Sequence, residues 1–421
     1  MNVESVDTLI IGAGLAGLSA AVRLHEAGRE ILILEGSDGV GGRVRTDEVD
    51  GFLLDRGFQV YLEAYPEAGA FLDLKALDLR PFEPGALVWK RGKRRKVMDV
   101  FRRPGALFSS ALQPIGTPLD KLLVAKLRSR LLHKSQEAIW SAPQQTTADY
   151  LRDFGFSERI IDEFFRGFYG GIFLEEHLVT SSRMFEFTFG LFARGSATLP
   201  AAGMQAIPNQ LAARLPAGSI RLNSPVMSLD GTTAAVAGGK ISACNVIVAT
   251  DGTAASRLVP DRVTAPRWNC TACLYFSAPE PPFTEPLIML KGDRDGIINS
   301  LCVPSNLSSH LAPAGKSLIS VSVIGDQSRN ENLIEEVVAE LGAWFGQITK
   351  DWTLLKSYSI AKALPVAPPG HLLNDPGTGP VYFSGDYTRS ASIEGAITSG
   401  IIAASHLSTP SISEAAPNGA T

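Results

Sequence analysis

The segment Thr8-Leu9-Ile10-Ile11-Gly12-Ala13-Gly14-Leu15-Ala16-Gly17 runs an apolar strand directly into Gly-x-Gly-x-x-Gly, and Glu35 closes a second apolar stretch, Ile31-Leu32-Ile33-Leu34, eighteen residues after the last glycine. Strand, tight turn, helix, and a second strand ending on an acid specify a βαβ unit built around a dinucleotide. Gly12 permits the turn, Gly14 lets a pyrophosphate approach the main chain, and Gly17 lets helix and strand pack closely. Leu15 and Ala16 then bring the helix N-terminus onto the anion. Glu35, followed by Gly36, is placed to accept hydrogen bonds from an adenosine ribose. A glycine-rich turn alone is weak evidence; here its flanks and its acid stand in the right order.

Further segments decide between NAD and FAD. Gly39-Val40-Gly41-Gly42-Arg43 is a second glycine-rich turn, able to offer N–H groups and a fixed guanidinium to the diphosphate of a dinucleotide lying extended across the domain. NAD dehydrogenases have no need of it. Asp55-Arg56-Gly57-Phe58-Gln59-Val60 can bring main chain close to a flat ring, with Gly57 making the room. Near the other end, Val381-Tyr382-Phe383-Ser384-Gly385-Asp386 reads as a strand and a Gly-Asp turn, and a helix begins near Ile393. Asp386 suits ribityl hydroxyls. The positive end of that helix, at Ser392, Ile393, Glu394 and Ala396, suits the pyrimidine edge of a flavin, which becomes anionic on reduction.

With these segments the sequence resembles the flavin-containing amine oxidase superfamily, which includes monoamine and polyamine oxidases, protoporphyrinogen oxidases and carotenoid desaturases. The likeness runs along nearly the whole chain. Leu199-Pro200-Ala201-Ala202-Gly203-Met204 is similar to the superfamily's Pro-x-Gly-Gly-Met block, Leu222-Asn223-Ser224-Pro225-Val226 to the strand whose valine backbone meets adenine, and Asn245-Val246-Ile247-Val248-Ala249-Thr250 to the strand that follows. Gly385-Asp386-Tyr387-Thr388, Ser392-Ile393-Glu394-Gly395-Ala396 and the segment from Gly57 to Pro66 most resemble the plant-type phytoene desaturase branch. Bacterial hydroxysqualene dehydroxylases share the same skeleton, and Gly170-Gly171-Ile172-Phe173 also resembles protoporphyrinogen oxidases. The resemblance implies an α/β fold in which a Rossmann-like FAD-binding domain carries a mixed α+β substrate domain, with Val226 and Thr250 among the FAD contacts. No cysteine flanks Gly385-Asp386 and no histidine flanks Gly41-Gly42-Arg43, the usual places for a covalent link, so the FAD is expected to be non-covalent.

On this plan the FAD domain is assembled from 1–60, 196–265 and 376–408, and the substrate domain from 61–195 and 266–375. The first substrate segment reads as helical. The second alternates like strands around Ile288-Met289-Leu290 and from Leu318 to Ile324, with a helix near 330–345. The tail, 409–421, is rich in Ser, Pro, Ala and Gly and reads as disordered. A chain of 421 residues, 45% hydrophobic with net charge -4, is expected to form two soluble domains. About seven residues precede the first apolar strand, too few for a signal peptide, and no apolar run approaches the roughly twenty residues of a membrane span. A cytoplasmic location is therefore expected. Cys270-Thr271-Ala272-Cys273 reads as strand interior, because no second pair or nearby histidine completes a metal site.

Between Lys90 and Lys134 stand thirteen Lys or Arg and two Asp, in a chain that is acidic overall. Val97, Met98, Phe101, Leu107, Phe108, Leu119, Leu122, Leu123, Leu127 and Leu131 are interleaved with these cations. Two readings stay open: peripheral contact with an anionic membrane through 90–134, and a core-packed helix with a solvated basic face. Nucleic acid is a poor fit, since no binding module surrounds the charges.

The aromatic runs Phe164 to Phe173 and Met184 to Phe189 supply either core or a pocket for a hydrophobic small molecule. Flavin chemistry takes a hydride from an activated C–H bond and delivers electrons to O2 or a quinone, which needs position more than acid or base groups. No catalytic base is assigned. Gln59 and Tyr169 are the first candidates, with Arg166 and Lys362 behind them. The leading reading is an FAD-dependent desaturase or dehydrogenase acting on an isoprenoid or lipid-like substrate. Amine oxidases usually place a lysine soon after the strand that here ends at Thr250, where this chain has Asp251-Gly252-Thr253-Ala254-Ala255-Ser256-Arg257. A protoporphyrinogen-type oxidase is a further alternative. A non-enzymatic binder of prenyl lipid, as in GDP-dissociation inhibitors, is opposed by the intact Glu35, Gly41-Gly42-Arg43 and Gly385-Asp386.

Overall fold

The apolar stretches 9–11, 31–34 and 246–248 have little polar surface to offer water, and they lie side by side in the parallel strands Val3–Ile11, Ile31–Leu34 and Gly239–Val248. Ile220–Arg221 extends the sheet beyond Ile31–Leu34, and Val381–Phe383 joins Gly239–Val248, both also in parallel. A hairpin of Ser228–Asp230 and Thr233–Val236 adds two antiparallel strands. Side chains alternate across the sheet. Leu9, Ile11, Leu32, Leu34, Val246, Val248 and Phe383 form one buried cluster, while Ile10, Ile33 and Ile247, all 0% exposed, point the other way. Burial on both faces is why these strands read as continuous hydrophobic runs.

The computed structural model describes residues 3–103, 105, 113–371 and 373–408. Its contacts divide the chain into two compact units. The first runs up to Gly42, over Pro208–Pro266 and from Leu373 on, and contains the parallel sheet. Its helix Leu15–Glu26 ends where Gly28 takes φ +77 and Arg29 N donates to Leu24 O at 3.0 Å, a left-handed cap. The helix Ile393–Ser408 packs on it so closely that a Cβ at Gly400 would lie 2.1 Å from Ala16 O. The expected tail, 409–421, lies outside the described residues.

The second unit comprises Arg43–Ile207 and Arg267–Leu372. Its division from the first falls at 42/43, 207/208, 266/267 and 372/373, whereas the sequence placed the boundaries after 60, 195, 265 and 375. The shift has a local cause. Thr46–Val49 pairs with Phe52–Asp55, and Ala197–Pro200 pairs with Tyr61–Leu62 and Leu79–Pro81, so these residues make their bonds within the second unit.

A seven-stranded sheet forms its centre, with the strand Trp268–Ala278 between Ser317–Ile324 and Thr353–Pro365. Cys270 and Cys273 lie in Trp268–Ala278, as expected. The helix Leu333–Phe345 covers one face through Val337, Leu341 and Trp344.

The segment 61–195 is less helical than its composition implies. Gly85–Lys90 and Lys93–Met98 form a hairpin at the sheet edge, turning at Arg91 (φ 49) and Gly92 (φ 67). Positive φ at both turn residues matches the twist of paired strands. Lysine and arginine on an edge strand also block further pairing.

Helices follow from Pro118–Leu132 to Ser182–Arg194, broken by a π-helical turn at Ile161–Phe165. Much of the basic stretch is spent inside the unit. Lys90 pairs with Glu163, Lys134 with Glu186, and Arg128 donates to Ala193 O at 2.9 Å. Leu127 and Leu131 are fully buried, while Leu119 and Leu122 are 60% and 69% exposed. Leu107 and Phe108 lie outside the described residues. No described helix is long and apolar enough to cross a membrane.

Candidate functional site

The first unit carries the cradle that the glycine pattern anticipates. Gly12 adopts φ +107, and a Cβ there would lie 2.8 Å from Ala249 O; one at Gly17 would lie 2.0 Å from Gly12 O. Both positions therefore need glycine for the fold itself. Gly14 differs: at φ -71 and ψ 177 any residue is comfortable, and an added Cβ meets nothing within 4 Å. The open space lies at the start of the helix Leu15–Glu26, which has no side-chain cap, so the first N–H groups, from Leu15 and Ala16, face it without one. The second glycine turn closes on the first. Gly41 N donates to Ala13 O at 2.8 Å, and a Cβ at Gly42 would come within 3.3 Å of Gly14 Cα.

Glu35 stands at the end of its strand with both carboxylate oxygens engaged. Oε2 accepts from Ala13 N at 2.7 Å, and Oε1 accepts from Ser37 N at 2.9 Å and Ser37 Oγ at 2.8 Å. Three donors fix the carboxylate and leave it lone-pair capacity. Gly36 packs near Pro225. The expected strand Leu222 to Val226 is instead a bent connection, with Asn223 at φ 50: the paired residues are Ile220–Arg221, and Ser224 N donates to Glu35 O at 2.8 Å. Asn223 in the left-handed region ends the strand, and Pro225 cannot donate to resume a ladder. Val226 rests half-buried on the sheet's apolar cluster. Thr250 follows the central strand and donates from Oγ1 to Asp251 O at 3.2 Å.

Near the C-terminus, Ser384 and Ser399 fix the Gly-Asp turn. Gly385 N donates to Ser399 Oγ at 2.9 Å, and Thr388 Oγ1 donates back to Gly385 O at 2.8 Å. Asp386 is buried at the head of a short turn, Asp386–Thr388. Ser392 Oγ accepts from Gly395 N at 3.0 Å, so the helix holding Ile393, Glu394 and Ala396 starts with a serine cap.

In the second unit, Gly57 has φ +93 and lies against Ile360, whose Cδ1 would be 2.5 Å from an added Cβ. Phe58 meets Phe82 edge to face at 6.2 Å. Gln59 Nε2 donates to Arg43 O at 2.9 Å, and Arg43 Nη1 donates to Ala363 O at 3.0 Å. Lys362 sits beside that carbonyl, where the strands Trp268–Ala278 and Thr353–Pro365 lose register. The structure thus gathers Arg43, Gln59, Gly57 and Lys362 around one strand irregularity.

Arg166 and Tyr169 belong elsewhere in the unit, on the helix Arg166–Phe173. Arg166 is held by Asp162 at 2.7 Å and Glu176 O at 2.9 Å. Tyr169 is 1% exposed, its ring 4.6 Å from that of Phe185. Burial raises its hydroxyl pKa, so the group stays protonated and is a poor proton donor. Phe164, Phe168, Phe189 and Phe192 stay half-buried; Phe164 stacks on Phe168 at 5.6 Å, and Phe192 meets Phe168 at 5.2 Å with its ring tilted by 55°.

Two acids not singled out from the sequence organise these pieces. Asp55 is 9% exposed; its Oδ1 accepts from Thr46 Oγ1 at 2.6 Å and from Met204 N at 2.9 Å. Burial pushes its carboxyl up to about 6 despite those bonds. Gly203, at φ +83, brings the Gly203-Met204 block against this pair. Asp47 accepts from Arg56, Lys356 and Tyr358. Burial alone would raise its pKa, yet those three donors hold the carboxyl well below the usual carboxylate range. Asp55 and Asp47 flank a legible motif, but their partners, Met204 and Lys356, are far along the chain.

The uncapped helix end, the open space before Gly14 and the ordered Glu35 carboxylate fit the diphosphate and ribose of a dinucleotide. Comparison with known proteins extends the fit. An L-amino-acid oxidase of Bungarus fasciatus is 31% identical over 150 residues, 34% of this chain and 28% of that protein. A carotenoid 3,4-desaturase of Haloarcula japonica is 45% identical over 61 residues, 14% of this chain and 12% of that protein. The matched segments thus span under a third of each relative. Among solved structures, an oxidoreductase from Methanosarcina mazei superposes with a TM-score of 0.75 at 19% identity, covering 94% of this chain and 99% of that one, which shows the fold. The family described as flavin containing amine oxidoreductase matches residues 15–408, so the chain belongs to that family, whose cofactor is FAD.

Proposed function

We propose that the protein is an FAD-dependent oxidoreductase that removes hydride from a hydrophobic, isoprenoid or lipid-like substrate, as a desaturase or dehydrogenase. FAD, held without a covalent link, would supply the hydride acceptor and then the electrons for O2 or a quinone. On this reading Gly12, Gly14, Gly17, Glu35, Gly41, Gly42 and Arg43 bind the dinucleotide, Val226 and Thr250 the adenosine end, and Gly57, Phe58, Gln59, Asp386 and the helix at Ile393 the flavin end. The first unit then serves as the FAD-binding domain and the second as the substrate domain.

The observation that carries the substrate class is the row of half-buried Phe164, Phe168, Phe192 and Phe189 beside the closed core of Phe165, Tyr169 and Phe185. Phe164 and Phe168 share one helix face, and Phe189 and Phe192 another. Four phenylalanine rings left part-open to their surroundings form a surface for an apolar ligand. The exposed Leu119 and Leu122, with the exposed Lys126 and Arg130 further along the same outer helix face, support contact with an anionic lipid surface from which such a substrate would come.

Oxidation of an amine or amino acid is the second reading, favoured by the amino-acid oxidase relative. Asp251 opposes it, since its carboxylate caps the helix Gly252–Leu258 by accepting from Thr253 N and Ala254 N, in the stretch where a lysine is otherwise expected. The test is anaerobic reduction of the FAD-loaded protein, followed by loss of the yellow absorbance. Separate arms use isoprenoid lipids in anionic vesicles, amines and amino acids, and a porphyrinogen. Bleaching by the isoprenoid alone is expected; bleaching only by an amine, an amino acid or the porphyrinogen overturns the substrate class.

A further inference from the structure

We infer that Trp268 is a positioning residue for Arg43, holding its guanidinium ready for the FAD diphosphate; the inference rests on the FAD reading of the Gly41-Gly42-Arg43 turn. The Arg43 guanidinium carbon lies 5.3 Å from the centre of the Trp268 ring. Indole offers a cation the strongest face of any side chain. The in-plane edge of the same guanidinium is fixed separately, by Nη1 donating to Ala363 O at 3.0 Å. The backbone of Arg43 is fixed as well, through Gln59 Nε2 donating to its carbonyl at 2.9 Å.

The strand irregularity explains why Ala363 is available. Asn269 pairs with Leu364 and Thr271 with Ile360, so Cys270 alone opposes Ala361, Lys362 and Ala363. That bulge takes Ala363 out of the regular ladder, and its carbonyl accepts the arginine instead. Trp268 lies at the neighbouring register position, opposite Pro365. Bulge and indole therefore form one seat, which takes a planar guanidinium by an edge and a face together. A lysine ammonium can do only one of these. Ordering the arginine before the anion arrives spares the binding step that cost.

The experiment measures the FAD dissociation constant of the deflavinated full chain by flavin fluorescence titration, for the parent, Trp268→Leu, Trp268→Phe, Arg43→Gln and the double variant Arg43→Gln/Trp268→Leu. Thermal melts of the apoproteins report folding. Trp268→Leu is expected to weaken FAD by about 5- to 30-fold and Trp268→Phe, which keeps a ring face, by less than about threefold. On the Arg43→Gln background, Trp268→Leu should add less than about twofold, because its effect acts through the arginine. The inference is overturned if Trp268→Leu leaves affinity at the parent level, or if its penalty persists undiminished without Arg43. Parent-like affinity in Arg43→Gln overturns the FAD assignment of the glycine turn itself, a separate failure visible in its own arm.

Discussion

Gly14→Ala separates the fold of the cradle from its function. Gly14 has φ -71 and ψ 177, and an added Cβ has no neighbour within 4 Å. Alanine there strains nothing and restricts the unfolded chain, so the apoprotein should gain about 0.4–1 kcal/mol and melt at the same temperature or slightly higher. The same methyl fills the space through which a pyrophosphate reaches the helix N-terminus. Losing two N–H donors to a charged oxygen, each contributing roughly 1.5–3 kcal/mol, weakens FAD by about two to four orders of magnitude. Gly17→Ala is the contrasting variant. Its Cβ would lie 2.0 Å from Gly12 O and 3.2 Å from Ala249 Cβ, so stability should fall by about 1–3 kcal/mol or more together with binding. Thermal melts of the deflavinated proteins and fluorescence titration with FAD read the two effects independently. Parent-like FAD affinity in Gly14→Ala would refute the placement of the diphosphate, and a destabilised Gly14→Ala apoprotein would show that the space is not open.

Asp55→Asn should flatten the pH dependence of stability. The folded protein holds the Asp55 proton more tightly than the unfolded chain, its pKa rising from 3.8 to about 6. Its contribution is therefore fully present below about pH 4 and lost as pH rises through about 6. Denaturant titrations from pH 4 to 7.5 should show the parent losing about 2–4 kcal/mol relative to Asp55→Asn; parallel curves would reject the assignment. Tyr169→Phe removes a buried hydroxyl that has no hydrogen-bond partner among the described residues. The melting temperature should hold or rise, with turnover within about twofold of the parent. A hundredfold loss of turnover at unchanged FAD content would make Tyr169 a participant in the chemistry.

The cradle was legible because its constraints are local. Gly12, Gly14 and Gly17 lie within six residues, and the fold uses two of them for packing and one for open space, a division that spacing alone does not reveal. Asp55 and Trp268 were not legible as anchors, because each acts on a partner brought near only by the fold: Asp55 on Met204, 149 residues away, and Trp268 on Arg43. The basic stretch shows the same limit from the other side. Lys90 and Lys134 look like surface cations in sequence, yet each is paired with a glutamate far along the chain, Glu163 and Glu186. A buried ammonium is tolerable only with such a partner, and no local pattern announces one. The hairpin at Arg91-Gly92 was obscured for a related reason. Lys93, Arg94, Arg95 and Lys96 carry no alternation of apolar and polar residues, since an edge strand can leave cations on both sides while its neighbour, Gly85–Lys90, supplies the buried face. Even on the outer helix face from Leu119 to Arg130 the cations have partners, Arg130 lying 3.9 Å from Glu186 and Lys126 over the Phe154 ring, so the proposed lipid contact rests on the exposed Leu119 and Leu122 as much as on charge.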